Sequence, residues 1–278
     1  MNLCLLCLSH QWLVDHPKFL NNPFYLGGES YMGIVAPMIV NEIYKGNEVG
    51  EGPQIKIKGY MLGNPLTDTS GDYNSRIPFL HHMGLLSNEI YKSAKENCHG
   101  KYLDVDPNNH RCINDLKVVD KDDHYIYSYV WANRRDVREA LHIDEEFDEI
   151  KWVRCNESLF FDFFTEPISN THNVLNTVAY HKHLANKNCR ALVFSGDHDM
   201  VVPYLGTMHW IKSLNFLVVN EWRPWFVDKQ VAGYTMKYSN HEYNLTYATL
   251  KGGGHTTPEY KPKECLSMLI RWLANDVL

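Results

Sequence analysis

The sequence predicts an α/β fold, and three observations predict it. Short apolar runs alternate with stretches of helical periodicity along the chain. The runs at 55–62, 190–196 and 245–250 suit buried strands, and each ends in glycine or polar turn residues. The 278-residue length gives ample chain to bury a core.

Taken in order, Pro23–Gly27 predicts a short strand, and 34–44 a buried helix kinked at Pro37 and stopped by Gly46. Ile55–Leu62 alternates and then turns apolar, as a strand entering a core does. Residues 70–170 are polar, irregular and helix-prone, which reads as an inserted, mostly helical cap. Arg190–Gly196 and Leu245–Leu250 predict two further buried strands. The chain closes on an amphipathic helix over 262–273, with Leu266, Leu269, Ile270 and Leu273 expected on its apolar face. No repeat, low-complexity tract or linker divides the sequence, so 1–278 is expected to form a single domain carrying the cap.

Composition removes several functions. Thirty-three acidic residues against 27 basic ones give a net charge of −6, which argues against binding nucleic acid through its phosphates. No apolar run approaches the roughly 20 residues that span a bilayer. Met1–Leu8 is apolar but has neither a basic start nor a small-residue cleavage site, so it is a poor signal peptide. His81-His82 and His181-x-His183 have no framing carboxylate motif, and neither a metal nor another cofactor is expected. The seven cysteines are an odd number, so at least one lacks a partner. Cys98 and Cys112 flank a polar, turn-rich loop, where a local disulfide would form in an oxidising compartment. Asn156-Glu157-Ser158 and Asn244-Leu245-Thr246 are glycosylation acceptors by sequence.

Three segments carry chemistry, each where a strand is expected to end. In Gly27-Gly28-Glu29-Ser30-Tyr31-Met32-Gly33 a serine lies among glycines between a strand and a helix, the setting of a nucleophile elbow. The usual elbow has glycine two residues after the serine; here that place holds Met32 and the glycine follows one later. A helix N-terminus at Ser30 favours developing negative charge. Ser195-Gly196-Asp197-His198-Asp199 places acids past a buried strand, where one can orient a histidine. Gly252-Gly253-Gly254-His255 places a histidine on a flexible loop; the Gly-Lys-Ser/Thr continuation of a phosphate loop is missing. The chain order serine, acid, histidine is that of α/β hydrolases, distinct from those of chymotrypsin and subtilisin.

Gly28-Glu29-Ser30-Tyr31-x-Gly33, Gly63-Asn64-Pro65-Leu66-Thr67-Asp68, Ser195-Gly196-Asp197-x-Asp199 and Gly252-Gly253-Gly254-His255-Thr256 together resemble the serine carboxypeptidase family, from about residue 11 to the C-terminus. Trp222-Arg223-Pro224-Trp225 and Gly233-Tyr234-Thr235 resemble its plant branch, which includes acyltransferases using glucose esters. The resemblance implies an α/β-hydrolase fold with Ser30 as nucleophile, His255 as general base and acid, and Asp199 as orienter. Asp199 is preferred over Asp197 because the family's acid is the second aspartate of this motif. It implies the Tyr31 N–H as an oxyanion donor and Glu29, in protonated form, as the group recognising a substrate carboxylate. The implied activity is release of C-terminal amino acids from peptides; acyl transfer from glucose esters and an inactive remnant are the alternatives. The implied location is secreted or vacuolar. The family's Asn-Gly-Gly-Pro-Gly loop, which supplies a second oxyanion donor, is not found ahead of Ser30. The chain is therefore expected to be N-terminally truncated, with strands missing, and weak in activity. Cys155 resembles a cysteine whose partner lies in the missing portion.

Overall fold

The computed structural model describes residues 11–50, 52–120, 126–144, 147, 149–153 and 174–278. Cys4, Cys7, Cys155 and Asn156 lie outside them.

The chain divides into two compact units, Met1–Asp104 with Val174–Leu278, and Val105–Asn173. The first is built on strands β1 (Phe24–Glu29), β2 (Ile57–Gly63), β3 (Arg190–Gly196), β4 (Leu217–Val227), β5 (Gln230–Asn240) and β6 (Tyr243–Leu250). Their order across the sheet is β1-β2-β3-β6-β5-β4. β1, β2, β3 and β6 run parallel, and β5 and β4 extend the sheet as an antiparallel arm. Its helices are α1 (Met32–Val49), α2 (Thr69–Asn74), α3 (Arg76–His82), α4 (Asn88–Asn97), then α8 (Val178–Leu184), α9 (Tyr204–Ser213), α10 (Thr257–Tyr260) and α11 (Pro262–Ala274). The second unit contributes α5 (His110–Asp120), α6 (Ile126–Ala132) and α7 (Arg135–Ala140). There Asn133 ties two segments together, its side chain donating to the Trp152 carbonyl at 2.9 Å and accepting from the Trp152 N–H at 2.7 Å.

The strands at the sheet centre are apolar on both faces because both are covered. One core joins Val35, Ile39 and Ile43 of α1 to Leu62, Val193 and Tyr247 of the sheet, with Leu184 of α8 and Trp210 of α9. The other sets Leu192, Phe194 and Trp225 against Cys265, Met268 and Trp272 of α11. Within the first core Tyr60 Oη lies 2.7 Å from His181 Nδ1 and 2.8 Å from Tyr243 Oη. Burial pushes the His181 imidazole down to about 3, so it sits there neutral, as a structural residue.

Two local expectations are corrected. Gly46 does not stop α1, which runs to Val49 and ends on Gly50 in the left-handed region (φ 73°). Gly46 stays inside the helix because nothing in the backbone there demands a positive φ, while Gly50 supplies one. On α11 the buried positions are Cys265, Met268 and Trp272, while Leu266 and Ile270 are each 57% exposed and Leu273 40%. Trp272 packs against Tyr25 of β1 and lies over Gly59 of β2, so this face of α11, and not the leucine stripe, is turned to the sheet. Sequence reading also left out the β4–β5 hairpin. Its turn falls at Asp228 and Lys229, both at positive φ (49° and 64°), without the glycine that usually marks such a turn.

Cys98 and Cys112 are each disulfide-bonded, and Cys189 and Cys265 are free and buried. Among the described residues no helix is long and apolar enough to cross a membrane, and no cluster of His, Cys, Asp and Glu could hold a metal ion.

Candidate active site

The parallel strands all deliver their C-terminal ends to one edge of the sheet, which is where an open α/β sheet places its chemistry. Ser30 follows β1 directly and stands at φ 57°, in the left-handed region that non-glycine residues rarely adopt. Its backbone is pinned: the Ser30 N–H donates to the Gly63 carbonyl at 2.9 Å, and the Ser30 carbonyl accepts from Leu66 N–H at 2.9 Å and Gly33 N–H at 3.0 Å. This turn throws the Ser30 hydroxyl off the end of the strand and starts α1 at Met32. The late glycine of the motif now has a reason. A Cβ at Gly33 would lie 2.3 Å from the Leu66 carbonyl oxygen, so only glycine lets α1 approach the loop after β2.

His255 reaches the same point from the loop after β6. Its Nε2 lies 2.9 Å from Ser30 Oγ, and its Nδ1 lies 2.9 Å from Asp199 Oδ2. Asp199 comes from the loop after β3 and is 1% exposed. Its other oxygen, Oδ1, accepts the Val201 N–H at 2.8 Å. The buried carboxylate thus has donors on both oxygens, as a charged group away from water requires. Asp197 points elsewhere. Its Oδ1 accepts the Gly252 N–H at 2.6 Å, and the neighbouring His198 N–H donates to the Gly253 carbonyl at 2.9 Å, so this aspartate staples the histidine loop in place. Gly196 completes the join, since a Cβ there would fall 2.3 Å from the Gly253 carbonyl oxygen.

Glu29 is the last residue of β1, beside Ser30. Its Oε1 is buried with no hydrogen-bond partner among the described residues. Burial pushes its carboxyl above the usual range; His255 opposes that, and Glu259 and Asp199 add to it. Tyr31 directly follows Ser30 at the start of α1.

One residue at the site was given no role from sequence, although it lies in a motif quoted for the family. Asn64, completely buried and at φ 42°, donates from Nδ2 to Asp199 Oδ2 at 2.6 Å. Its signals in the sequence were its place in the Gly63-Asn64-Pro65-Leu66-Thr67-Asp68 motif, which carried no role for it, and an asparagine, a residue tolerant of positive φ, immediately after a strand. The remaining candidate, Asn244, is half-buried in β6, between β3 and β5, and its Nδ2 donates to the Glu242 carbonyl at 3.3 Å.

Comparison with known proteins bears on this arrangement. The family model of the serine carboxypeptidases matches residues 5–129 and 119–275. Serine carboxypeptidase-like 17 of Arabidopsis thaliana is 44% identical over 291 residues, covering 97% of this chain and 63% of that protein. Serine carboxypeptidase-like 7 of the same plant is 43% identical over 292 residues, covering 97% of this chain and 64% of its own. The chain therefore spans just under two thirds of the length of these relatives. Among solved structures, the prohormone-processing carboxypeptidase Kex1 of Saccharomyces cerevisiae aligns with a TM-score of 0.63 at 18% identity, over 96% of this chain and 65% of that one. That likeness shows the fold, an α/β-hydrolase sheet. By fold, motif and sequence identity, the chain belongs to the serine carboxypeptidase family.

Proposed function

We propose that the chain carries out acyl transfer through a covalent Ser30 intermediate, releasing C-terminal amino acids from peptides. The observation that carries this reading is the unbroken relay from Ser30 Oγ through His255 to Asp199, with both links at 2.9 Å.

The steps follow from the geometry. His255 Nε2 takes the hydroxyl proton as Ser30 Oγ attacks the scissile carbonyl carbon. Asp199 accepts the His255 Nδ1–H, which fixes the tautomer that leaves Nε2 free as base and stabilises the imidazolium. The Tyr31 N–H is assigned as a donor to the carbonyl oxygen as it gains charge, at the positive end of α1. The C–N bond then breaks, the leaving amine takes the proton from Nε2, and an acyl-enzyme remains. Water, activated by the same nitrogen, releases the acid and restores Ser30.

Glu29 supports the peptide reading. In protonated form its carboxyl can donate a hydrogen bond to the free C-terminal carboxylate of a peptide, and burial holds it protonated to a higher pH than an exposed glutamate. Once it ionises, two carboxylates would face each other. We therefore expect KM for a peptide with a free C-terminus to rise as pH rises through the Glu29 titration, while an ester without a carboxylate shows no such trend. A location in an acidic or secretory compartment fits this pH dependence and the family, as do a Cys98–Cys112 disulfide and glycosylation at Asn156 and Asn244. Non-reducing peptide mapping should recover Cys98 and Cys112 in one linked pair; two separately linked peptides would refute that pairing.

The test uses the purified 278-residue chain. A fluorophosphonate probe should label Ser30, and a peptide should lose its C-terminal residue while the same peptide with an amidated C-terminus is spared. Turnover of an acyl-glucose ester with an alcohol acceptor, with both peptides ignored, would replace the peptidase reading by the acyltransferase one. No labelling and no turnover would mean a remnant without catalytic power.

A further inference from the structure

The Gly63–Asn64 segment touches all three loops that supply the relay. The Gly63 carbonyl anchors the Ser30 N–H, and Asn64 donates from its own N–H to the Phe194 carbonyl at 2.7 Å. Its side-chain oxygen, Oδ1, accepts the Gly196 N–H at 3.3 Å and the Thr257 hydroxyl at 2.6 Å. Its Nδ2 donates to Asp199 Oδ2 at 2.6 Å, the same oxygen that meets His255 Nδ1.

The orientation of this amide is decided by its surroundings. The Gly196 N–H can only donate, so the group facing it must be the acceptor Oδ1. Nδ2 is then forced toward Asp199. The carboxylate oxygen that receives the imidazole N–H is thereby held from a second side, with Thr257 of α10 fastening the amide beneath the His255 loop. Holding φ at 42° is unfavourable for most side chains and tolerable for asparagine, so the strain falls on a residue that can bear it.

We propose that Asn64 is a positioning residue for the relay: it fixes the Asp199 carboxylate so that Oδ2 stays directed at His255 Nδ1. The proposal rests on the reading of Ser30, His255 and Asp199 as acyl-transfer machinery, and it concerns a residue that touches no substrate. Its effect is on geometry at one remove from the reacting atoms, where small displacements are costly in rate.

Two variants test it in the full chain. Asn64→Gly removes the amide and relieves the backbone. Asn64→Asp keeps the shape and replaces the donor by a carboxyl group. Two carboxylates this close cannot both ionise, so Asp199 and the new acid share one proton at low pH, and the neutral acid can donate where Nδ2 did. Besides His255, Glu29 of β1 lies within electrostatic reach of Asp199, and Glu259 of α10 within reach of Glu29; all are present in every variant. We expect Asn64→Gly to slow fluorophosphonate labelling of Ser30 on the order of 100-fold. Asn64→Asp should come closer to the parent rate at acidic pH, and its rate relative to the parent should fall as pH rises and the shared proton leaves. A packing role alone would leave that ratio flat across pH. Equal labelling rates for parent and both variants, or a flat ratio for Asn64→Asp, would overturn the proposal.

A second readout separates this inference from the reading of function. The far-downfield proton resonance of His255 Nδ1–H, assigned by its loss in His255→Ala, should be present in the parent and shifted or lost in Asn64→Gly. If the parent fails to label but the resonance responds, the acyl-transfer reading falls and the positioning role stands. If the resonance is unchanged in Asn64→Gly, the positioning role falls regardless of labelling.

Discussion

Ser30→Ala is expected to abolish fluorophosphonate labelling and to lower any acyl-transfer turnover by about 10⁶-fold, the order seen when the nucleophile of such a relay is removed. The loss of labelling is chemical, since the Ser30 hydroxyl is the oxygen that stands 2.9 Å from His255 Nε2. Measuring it requires the parent and variant side by side, with folding checked by thermal melt. The elbow backbone provides that check. At φ 57° an alanine keeps the strain of the parent, whereas glycine is relaxed there. Ser30→Gly should therefore melt above Ser30→Ala, by an amount corresponding to roughly 1–2 kcal/mol, while being equally inactive. Residual labelling at another residue in both variants would show that the nucleophile had been misassigned.

Asp199→Asn should cost on the order of 10⁴-fold in labelling rate and turnover. The amide would present either an N–H toward His255 Nδ1, forcing the wrong tautomer, or an oxygen with no charge to stabilise the imidazolium. Its NH2 would face a donor at either position, Asn64 Nδ2 where Oδ2 was or the Val201 N–H where Oδ1 was, so one bond to the carboxylate is lost. Asp197→Asn is the control. Its Oδ1 bonds a backbone N–H of the histidine loop, and an asparagine oxygen can still accept it. We expect less than a tenfold change in labelling, with about 1 kcal/mol lost in stability as a charge-assisted hydrogen bond becomes a neutral one. If Asp197→Asn proved the more damaging of the two, the acid of the relay would have to be reassigned.

The parts of this molecule that were legible in sequence are those where local chemistry decides structure. β3 ran over Arg190–Gly196 as read, because a strand covered on both faces is a continuous apolar run bounded by turn residues. Ser30 and His255 could be named because a reactive side chain at a strand end needs glycine around it, and glycine is conspicuous; local chemistry left Asp197 and Asp199 both open, and only the family resemblance chose Asp199. The β4–β5 arm was not legible. Its strands are half solvent-exposed and irregular, with Pro224 inside β4 and register shifts along the pairing, and its turn is made by Asp228 and Lys229. The outward face of α11 misled for another reason. Leucines at helical spacing satisfy any periodicity test, yet which stripe is buried depends on what the sheet offers opposite it, and Trp272 fits that surface better. The role of Asn64, a residue visible only as part of a motif, was not legible because it is made by tertiary contacts to loops about 130 and 190 positions away, to Asp199 and Thr257.

The interlock between the Asp197 and His255 loops has a consequence for how this site can change. Gly196 can lie against the His255 loop only because it has no Cβ, which would collide with the Gly253 and Gly254 carbonyl oxygens, and Asp197 is tied to the Gly252 N–H. Neither loop can drift in sequence without the other. Over evolutionary time the two should therefore vary as a single module, with paired replacements tolerated and solitary ones purged. A protein engineer meets the same constraint: transplanting 250–257 into another hydrolase without 195–201 would deliver a histidine with no fixed address, whereas moving both segments together would carry the address along.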